Sequence, residues 1–275
     1  MAAPEPETEP LAEATLISHL LELRTRLMRA VFAVIFVALP CLYFANDLFA
    51  YVSRPLIKVL PKGSSIIATS LVSPLTTPFK LSFYVALILA MPYVLYQIWS
   101  FIAPGLYRHE KRFALPLLVS SILFFYAGVA FAYYAVFPVM FAFFTATTPA
   151  GVQMMADMAQ YLDFVLLLFV TFGLAFEIPI AIVLLVWTGL VRHAALKRNR
   201  GYVLIFVFIQ AAVIAPPDVI SQTMLALPMY ALYEVGILMA GFLARTKIVE
   251  RAKRDAEQAA EDAADAANAG SGGEA

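Results

Sequence analysis

The stretch YLDFVLLLFVTFGLAFEIPIAIVLLVW, residues 161–187, decides the fold. As an α-helix these residues would rise about 40 Å, enough to cross roughly 30 Å of bilayer hydrocarbon. One carboxylate interrupts the grease deep inside the run. Glu177 stands roughly 15 Å from the Trp187 end. A charge at that depth costs on the order of 2.5–3.5 kcal/mol on insertion scales, so Glu177 should face the interior, be neutral or hold a polar partner. Pro179 follows closely; its missing N–H frees the carbonyl of Ala175 and kinks the helix. Carboxyl, free carbonyl and kink together make a polar notch. The bland reading is a protonated acid hydrogen-bonded within a helix bundle. The functional readings are a proton site or a docking point for a polar residue on another helix.

The rest of the chain repeats the theme. Hydrophobic residues make up 62% of 275, charged residues only 14%, and the mean hydropathy is +0.82. A soluble domain runs closer to about a quarter charged. Apolar runs predict six spans near residues 27–44, 79–99, 114–138, 161–187, 202–215 and 219–243. The expected fold is therefore an all-α polytopic membrane protein of six transmembrane helices. The fifth run is short, about 21 Å of helix ending at Pro216 and Pro217, so the fifth and sixth spans read as a short hairpin. The start, MAAPEPETEPLAEA, lacks the basic region and cleavage site of a signal peptide, so the first span should be retained. The expected organisation is a disordered tail over residues 1–15, a membrane domain over 16–245, and a helical-to-disordered tail over 246–275.

Charge orients the bundle. Arg24, Arg26, Arg29, Arg108, Lys111, Arg112, Arg192, Lys197, Arg198, Arg200, Arg245, Lys247, Arg251, Lys253 and Arg254 fall on one side, and Arg54, Lys58, Lys62 and Lys80 on the other. The positive-inside rule places the first side, and with it both termini, in the cytoplasm. The segment 46–78 on the opposite side is broken by Pro55, Pro61, Gly63, Pro74 and Pro78 into a short amphipathic helix, a turn and an extended piece. It is too apolar for a floppy loop and reads as a cap over the bundle end.

Several function classes fall away. Net charge is zero, so no nucleic-acid partner is indicated. No GxxxxGK[ST], HExxH or GxSxG pattern occurs, and His19, His109 and His193 are scattered. No enzyme, metal or cofactor is expected. Cys41 is alone and reads as an apolar filler.

The remaining ionisable residues need individual accounts. Glu22 lies in SHLLELRTRL, an amphipathic helix leading into the first span, and precedes Arg26 by four. It is either half of that surface pair or an exposed receptor carboxylate. Glu110 is the one acid in the basic turn FIAPGLYRHEKRF, where Arg108 or Arg112 could absorb its charge. The topology puts both acids on the same face, where two carboxylates suit two guanidinium groups through charge-assisted bonds. Asp218 opens the last span and as an N-cap would satisfy an amide near Ser221. Gln222 and Thr223 would still leave that end polar enough for a partner helix. Glu234, in MYALYEVGIL, is again read as intramembrane, paired with another polar span residue.

Five ordered segments, SHLLELRTRL, FIAPGLYRHEKR, AFAYYAVFP, FEIP and APPDVISQTMLALPMY, resemble the TatC family, the core subunit of the twin-arginine protein translocase. The likeness runs over residues 16–242. It implies a concave, glove-like bundle in a bacterial cytoplasmic (inner) membrane, with both termini inside. It implies binding of the S/T-R-R signal of folded precursors and export driven by the proton-motive force. The implied partners are single-span TatA and TatB subunits and other copies of the chain itself. By this resemblance the signal-recognition face holds Glu22, Leu23, Arg24, Phe101 and Glu110, and Glu177 contacts partner helices. Asp218 and Gln222 fall in a polar cluster that docks the single-span partners, and Pro55 matches a functional proline of the first outer loop. Position 215 is Ala where the family often has a hydroxyl residue. The competing reading is a proton-coupled small-molecule transporter with Glu177 as its proton site, although no internal symmetry of the kind such carriers show is evident.

Overall fold

A computed structural model describes residues 9–59, 65–102, 114–149, 152, 155–215 and 218–242. Its helices are α1 (Glu9–Tyr43), α2 (Ala45–Val59), α3 (Ser73–Ile102), α4 (Ala114–Phe131), α5 (Phe137–Ala146), α6 (Met158–Trp187), α7 (His193–Arg198), α8 (Arg200–Ile214) and α9 (Val219–Phe242). Five helical stretches are long and apolar enough to cross a membrane: Leu20–Tyr43, Ser73–Ile102, Leu115–Ala146, Met158–Trp187 and Val219–Phe242. α8 supplies a sixth, shorter apolar helix. The chain is an all-α, multi-pass membrane protein. It divides into two compact units, Met1–Glu177 with Ala211–Leu225, and Ile178–Gln210 with Ala226–Ala275.

Several boundaries differ from the sequence reading. α1 starts at Glu9, inside the tail expected to be disordered. Pro10 is tolerated in a first turn, and the Leu-Ala-Glu-Ala run that follows consists of strong helix formers. α3 starts at Ser73, so the piece expected to be extended up to Pro78 is helical, with Pro74 in the opening turn where the missing N–H costs little. The third span runs past Pro138 to Ala146. A π-helical turn, Ala132–Val136, precedes α5 and leaves Pro138 at its first turn. Only α8 is short in the last hairpin, with 15 residues against 24 in α9. The Pro216–Pro217 turn and the C-terminal tail lie outside the described residues.

Small residues set the first packing seam. Ala30, Val34, Ala38 and Cys41 recur at helical spacing on α1 and are all buried, and α1 packs chiefly against α3. Cys41, Ala38 and Ala86 form one cluster, so the lone thiol is the apolar filler expected. Large residues fill the centre: Leu56, Leu81, Phe137, Met140, Leu162, Leu166 and Phe172 are almost fully buried. Phe137 on α5 meets Phe169 on α6 with ring centroids 5.1 Å apart, and Phe141 meets Tyr161 at 5.4 Å.

Two helices carry internal prolines whose cost is met across the bundle. Pro55 sits inside α2 and does not end it, so the carbonyl of Tyr51 has no amide four residues on. The Tyr133 hydroxyl, from the π turn, donates to that carbonyl at 3.1 Å, and the rings of Tyr51 and Tyr133 stack at 5.5 Å. Pro92 inside α3 likewise frees the carbonyl of Ile88, which accepts the Tyr126 hydroxyl at 3.1 Å. A third tyrosine, Tyr161, donates to the carbonyl of Val52 at 2.8 Å. Tyr126 closes a carbonyl inside a span, where hydrocarbon offers no water, and all three tyrosines fix where two helices meet.

A clasp ties two loops together at the bundle end opposite the basic one. Strand β1 (Ile66–Ile67) pairs in parallel with β2 (Ala156–Asp157), Ile66 opposite Ala156. Asp157 Oδ2 accepts from the Thr69 amide at 3.1 Å and its hydroxyl at 2.6 Å. Oδ1 accepts from the amides of Ala159 and Gln160, both at 3.0 Å, and so caps α6. The Thr69 hydroxyl and these amides hold the Asp157 carboxyl down at about 2. Lys80 and Asp163 form an ion pair between α3 and α6.

Tyr133→Phe strands the Tyr51 carbonyl and is expected to cost about 1–3 kcal/mol of stability. Thermal unfolding in detergent measures the loss. Pro55→Ala returns an amide hydrogen to that carbonyl, so the double variant is expected to recover part of it.

Candidate functional site

Glu177 is reached through a close helix seam. A Cβ at Gly128 of α4 would collide with the carbonyl oxygen of Phe172 on α6 and come within 3.0 Å of Phe176 Cβ. A Cβ at Gly173 would meet the Phe125 ring at 2.6 Å. The two glycines let α4 and α6 approach nearly backbone to backbone, running antiparallel. Further along this seam the short Ser121 side chain reaches Glu177, and its hydroxyl donates to Oε2 at 2.6 Å. The same hydroxyl accepts from the Trp99 indole N–H of α3 at 3.2 Å.

The three residues form a graded chain. Trp99 lies about 5 Å from the Ile102 end of α3, Ser121 about 10 Å from the Ala114 end of α4, and Glu177 about 15 Å from the Trp187 end of α6. Trp99 and Ser121 are buried. Glu177 Oε1 is also buried and has no hydrogen-bond partner among the described residues; Gln97 Oε1 shares that condition. Of the sequence-predicted notch the carboxyl is in place, with one oxygen satisfied and the other without a partner among the described residues, and α6 continues through Pro179 to Trp187. Trp99, Ser121 and Gln97 were absent from the sequence reading. A lone Ser or Trp in an apolar run carries no periodic signal, and Trp99, Ser121 and Glu177 come from three different helices.

The other acids fall out differently. Arg26 donates to Glu22 Oε1 through Nε at 2.9 Å and Nη2 at 2.6 Å, the local pair that the i,i+4 spacing offers. Among the described residues nothing bonds Glu22 Oε2. Leu23 and Arg24 are exposed beside it, and Phe101 is in the last turn of α3. Glu110 lies outside the described residues. Pro55 is held through the Tyr133 bond described above.

Asp218 caps α9 as expected: Oδ1 accepts from the Ser221 amide at 2.8 Å, and Oδ2 accepts from the Ser221 hydroxyl. Those bonds hold its carboxyl below the usual range. Gln222, one residue further, is half-buried, and its amide donates to the Asp218 carbonyl at 3.2 Å.

Glu234 lies within the last apolar span, about 12 Å from its Phe242 end. Its Oε2 accepts from Arg200 Nη2 at 2.6 Å and its Oε1 from the Tyr230 hydroxyl at 2.9 Å. Arg200 opens α8, which is about 22 Å long, and Glu234 stands the same distance along α9 from Val219, so the two meet at the basic end of the hairpin. Comparing those two lengths in the sequence would have found the pair. α7 is fastened to α9 nearby: the Tyr233 hydroxyl donates to the Leu196 carbonyl at 2.8 Å, and His193 Nε2 lies 3.1 Å from the Ile237 carbonyl.

Comparisons with known proteins converge on one family. The model described as Sec-independent protein translocase protein (TatC) matches residues 18–228. The chain belongs to the TatC family. TatC of Azotobacter chroococcum mcd 1 is 55% identical over 222 residues, covering 81% of this chain and 87% of that protein. TatC of Escherichia coli K12 is 52% identical over 236 residues, covering 86% and 90%. A crystal structure of the twin-arginine translocase receptor TatC superposes with a TM-score of 0.75 at 38% identity, covering 82% of this chain and 98% of that one. TatC membership sets the small-molecule transporter reading aside.

Ser121→Ala leaves both Glu177 oxygens without a partner and is expected to destabilise this TatC chain by about 1–3 kcal/mol in detergent. Gly128→Val is expected to do more harm, because it wedges α4 off α6 and breaks the Ser121–Glu177 bond as well. A Ser121→Ala variant as stable as the parent would show that Glu177 does not depend on this partner.

Proposed function

We propose that this TatC chain is the receptor and core of twin-arginine protein export in a bacterial cytoplasmic membrane, with both termini cytoplasmic. The observation that carries the reading is the likeness to the twin-arginine translocase receptor over 98% of that chain. Residues 16–245 act as the membrane domain, flanked by the two tails. The basic side, carrying fifteen of the nineteen lysines and arginines, faces the cytoplasm.

The S/T-R-R signal of a folded precursor docks on that side against Glu22, Leu23, Arg24, Phe101 and Glu110. Arginine suits this task because its planar fork makes two parallel bonds to a carboxylate, which lysine cannot copy. Glu22 already holds Arg26 through Oε1, so Oε2 is the oxygen that receives an incoming guanidinium. Glu110 receives the second. The apolar part of the signal then lies along the bundle. Glu177 contacts partner helices of the TatA-like and TatB-like type, and the polar end of α9 at Asp218 and Gln222 docks them at the opposite surface. Other copies of the chain join the same complex, and the proton-motive force drives transport.

Glu110→Lys is expected to lower export of a twin-arginine precursor by about ten- to a hundredfold in membrane vesicles, the scale of one lost charge-assisted bond. Glu110→Ala should lie between that and the parent. Unchanged export by both variants would rule out the arginine contact.

A further inference from the structure

Arg24 and Arg29 are the two cations of α1 that the signal-docking account leaves without a carboxylate. Glu22 is taken by Arg26, and among the described residues no acid pairs with either. Both are exposed, and both line one hollow together with Leu21, Thr25, Met28 and Phe32. A second hollow of about 580 Å³ starts at Arg29 and Phe32 and continues past Ile35, Phe36 and Leu39 of α1 to Tyr93 of α3. Because the hollows share Arg29 and Phe32, they form one groove. Its polarity changes along its length, from two guanidinium groups at the basic end to an apolar trough directed into the membrane.

The depths match a lipid. Arg29 lies about 3 Å inside the apolar run that begins at Leu27, and Arg24 about 4.5 Å on the basic side of it, so the two straddle the level of the lipid headgroups. A guanidinium at that level meets headgroup phosphates while its stem lies along apolar surface. The trough walls are open to the bilayer, with Phe36 76% and Leu39 63% exposed. The open trough runs along α1 from Arg29 to Leu39, about 15 Å, a path an acyl chain can follow. Phosphate oxygens take two arginines in the same forked geometry as a carboxylate.

We propose that this groove binds one anionic phospholipid of the basic-side leaflet, its phosphate held by Arg24 and Arg29 and an acyl chain laid along Phe32, Ile35, Phe36 and Leu39. The site needs no signal peptide or partner subunit, so it is testable on the resting chain.

The test uses the full chain in nanodiscs of phosphatidylcholine containing a minor fraction of phosphatidylglycerol with the same acyl chains. Native mass spectrometry after release should find one phosphatidylglycerol retained in preference to phosphatidylcholine. Each of Arg24→Gln and Arg29→Gln should lower that retention about fivefold, and the pair about 25-fold, while Lys197→Gln on α7 leaves it unchanged. A second readout holds if a variant is poorly folded: Phe36→Trp should be quenched more by phosphatidylglycerol brominated on its acyl chain than by brominated phosphatidylcholine. Equal retention and equal quenching of the two lipids would overturn the site. Loss of retained lipid on adding millimolar inorganic phosphate would also overturn it, by showing a plain anion site without the acyl contact.

Discussion

Hydrocarbon gives a free backbone carbonyl nothing to bond to, and this chain puts prolines inside its membrane helices. The described architecture depends on how that conflict is met. Pro55 and Pro92 each free a carbonyl four residues back, and each carbonyl is closed by a tyrosine hydroxyl from another helix. Within a span, as at Pro92, an unsatisfied group of this kind costs several kcal/mol, whereas Pro55 lies in α2 outside the spans; each tyrosine bond settles position and register between two helices. Pro55 thereby acquires a structural account that does not invoke a ligand: it exposes the carbonyl through which α2 is tied to Tyr133. Tyr233 and His193 also reach backbone carbonyls, those of Leu196 and Ile237, and fasten α7 to α9 with no proline involved.

The functional residues stand on this scaffold in two kinds of setting. Asp218 and Glu234 are fully engaged within the chain, the first as a cap and the second by Arg200 and Tyr230. Glu22 and Glu177 each have one oxygen held, and the second has no partner among the described residues. Glu177 is placed by glycine contact between α4 and α6, since only without a Cβ at Gly128 and Gly173 does a side chain as short as serine reach across.

The membrane class, the six apolar helices, the α9 cap and the oddness of Glu177 were all legible in the sequence, because each depends on local pattern: run length, proline spacing, or an acid within an apolar run. The pair Glu22–Arg26 was legible for the same reason. Trp99, Ser121 and the tyrosine–carbonyl bonds were not, since their partners lie tens of residues away and are set by which helices touch. Glu234 was legible as an acid within the last span, but its partner Arg200 lies 34 residues away and emerges only when the lengths of α8 and α9 are compared. The helical start of α3 was missed because Pro74 and Pro78 read as breakers, and the early start of α1 because the N-terminal stretch reads as a disordered tail.

The account's central claim is that a twin-arginine signal is read on the basic side, beside the end of α3. Photo-crosslinking tests it most directly, with a photoreactive phenylalanine analogue at Phe101 or, for comparison, at Val152 on the opposite side. The account predicts that a precursor carrying Arg-Arg crosslinks to position 101 and not to position 152, and that the same precursor with Lys-Lys loses the crosslink. Equal crosslinking of the Arg-Arg and Lys-Lys precursors at position 101, or crosslinking at position 152 alone, would contradict it.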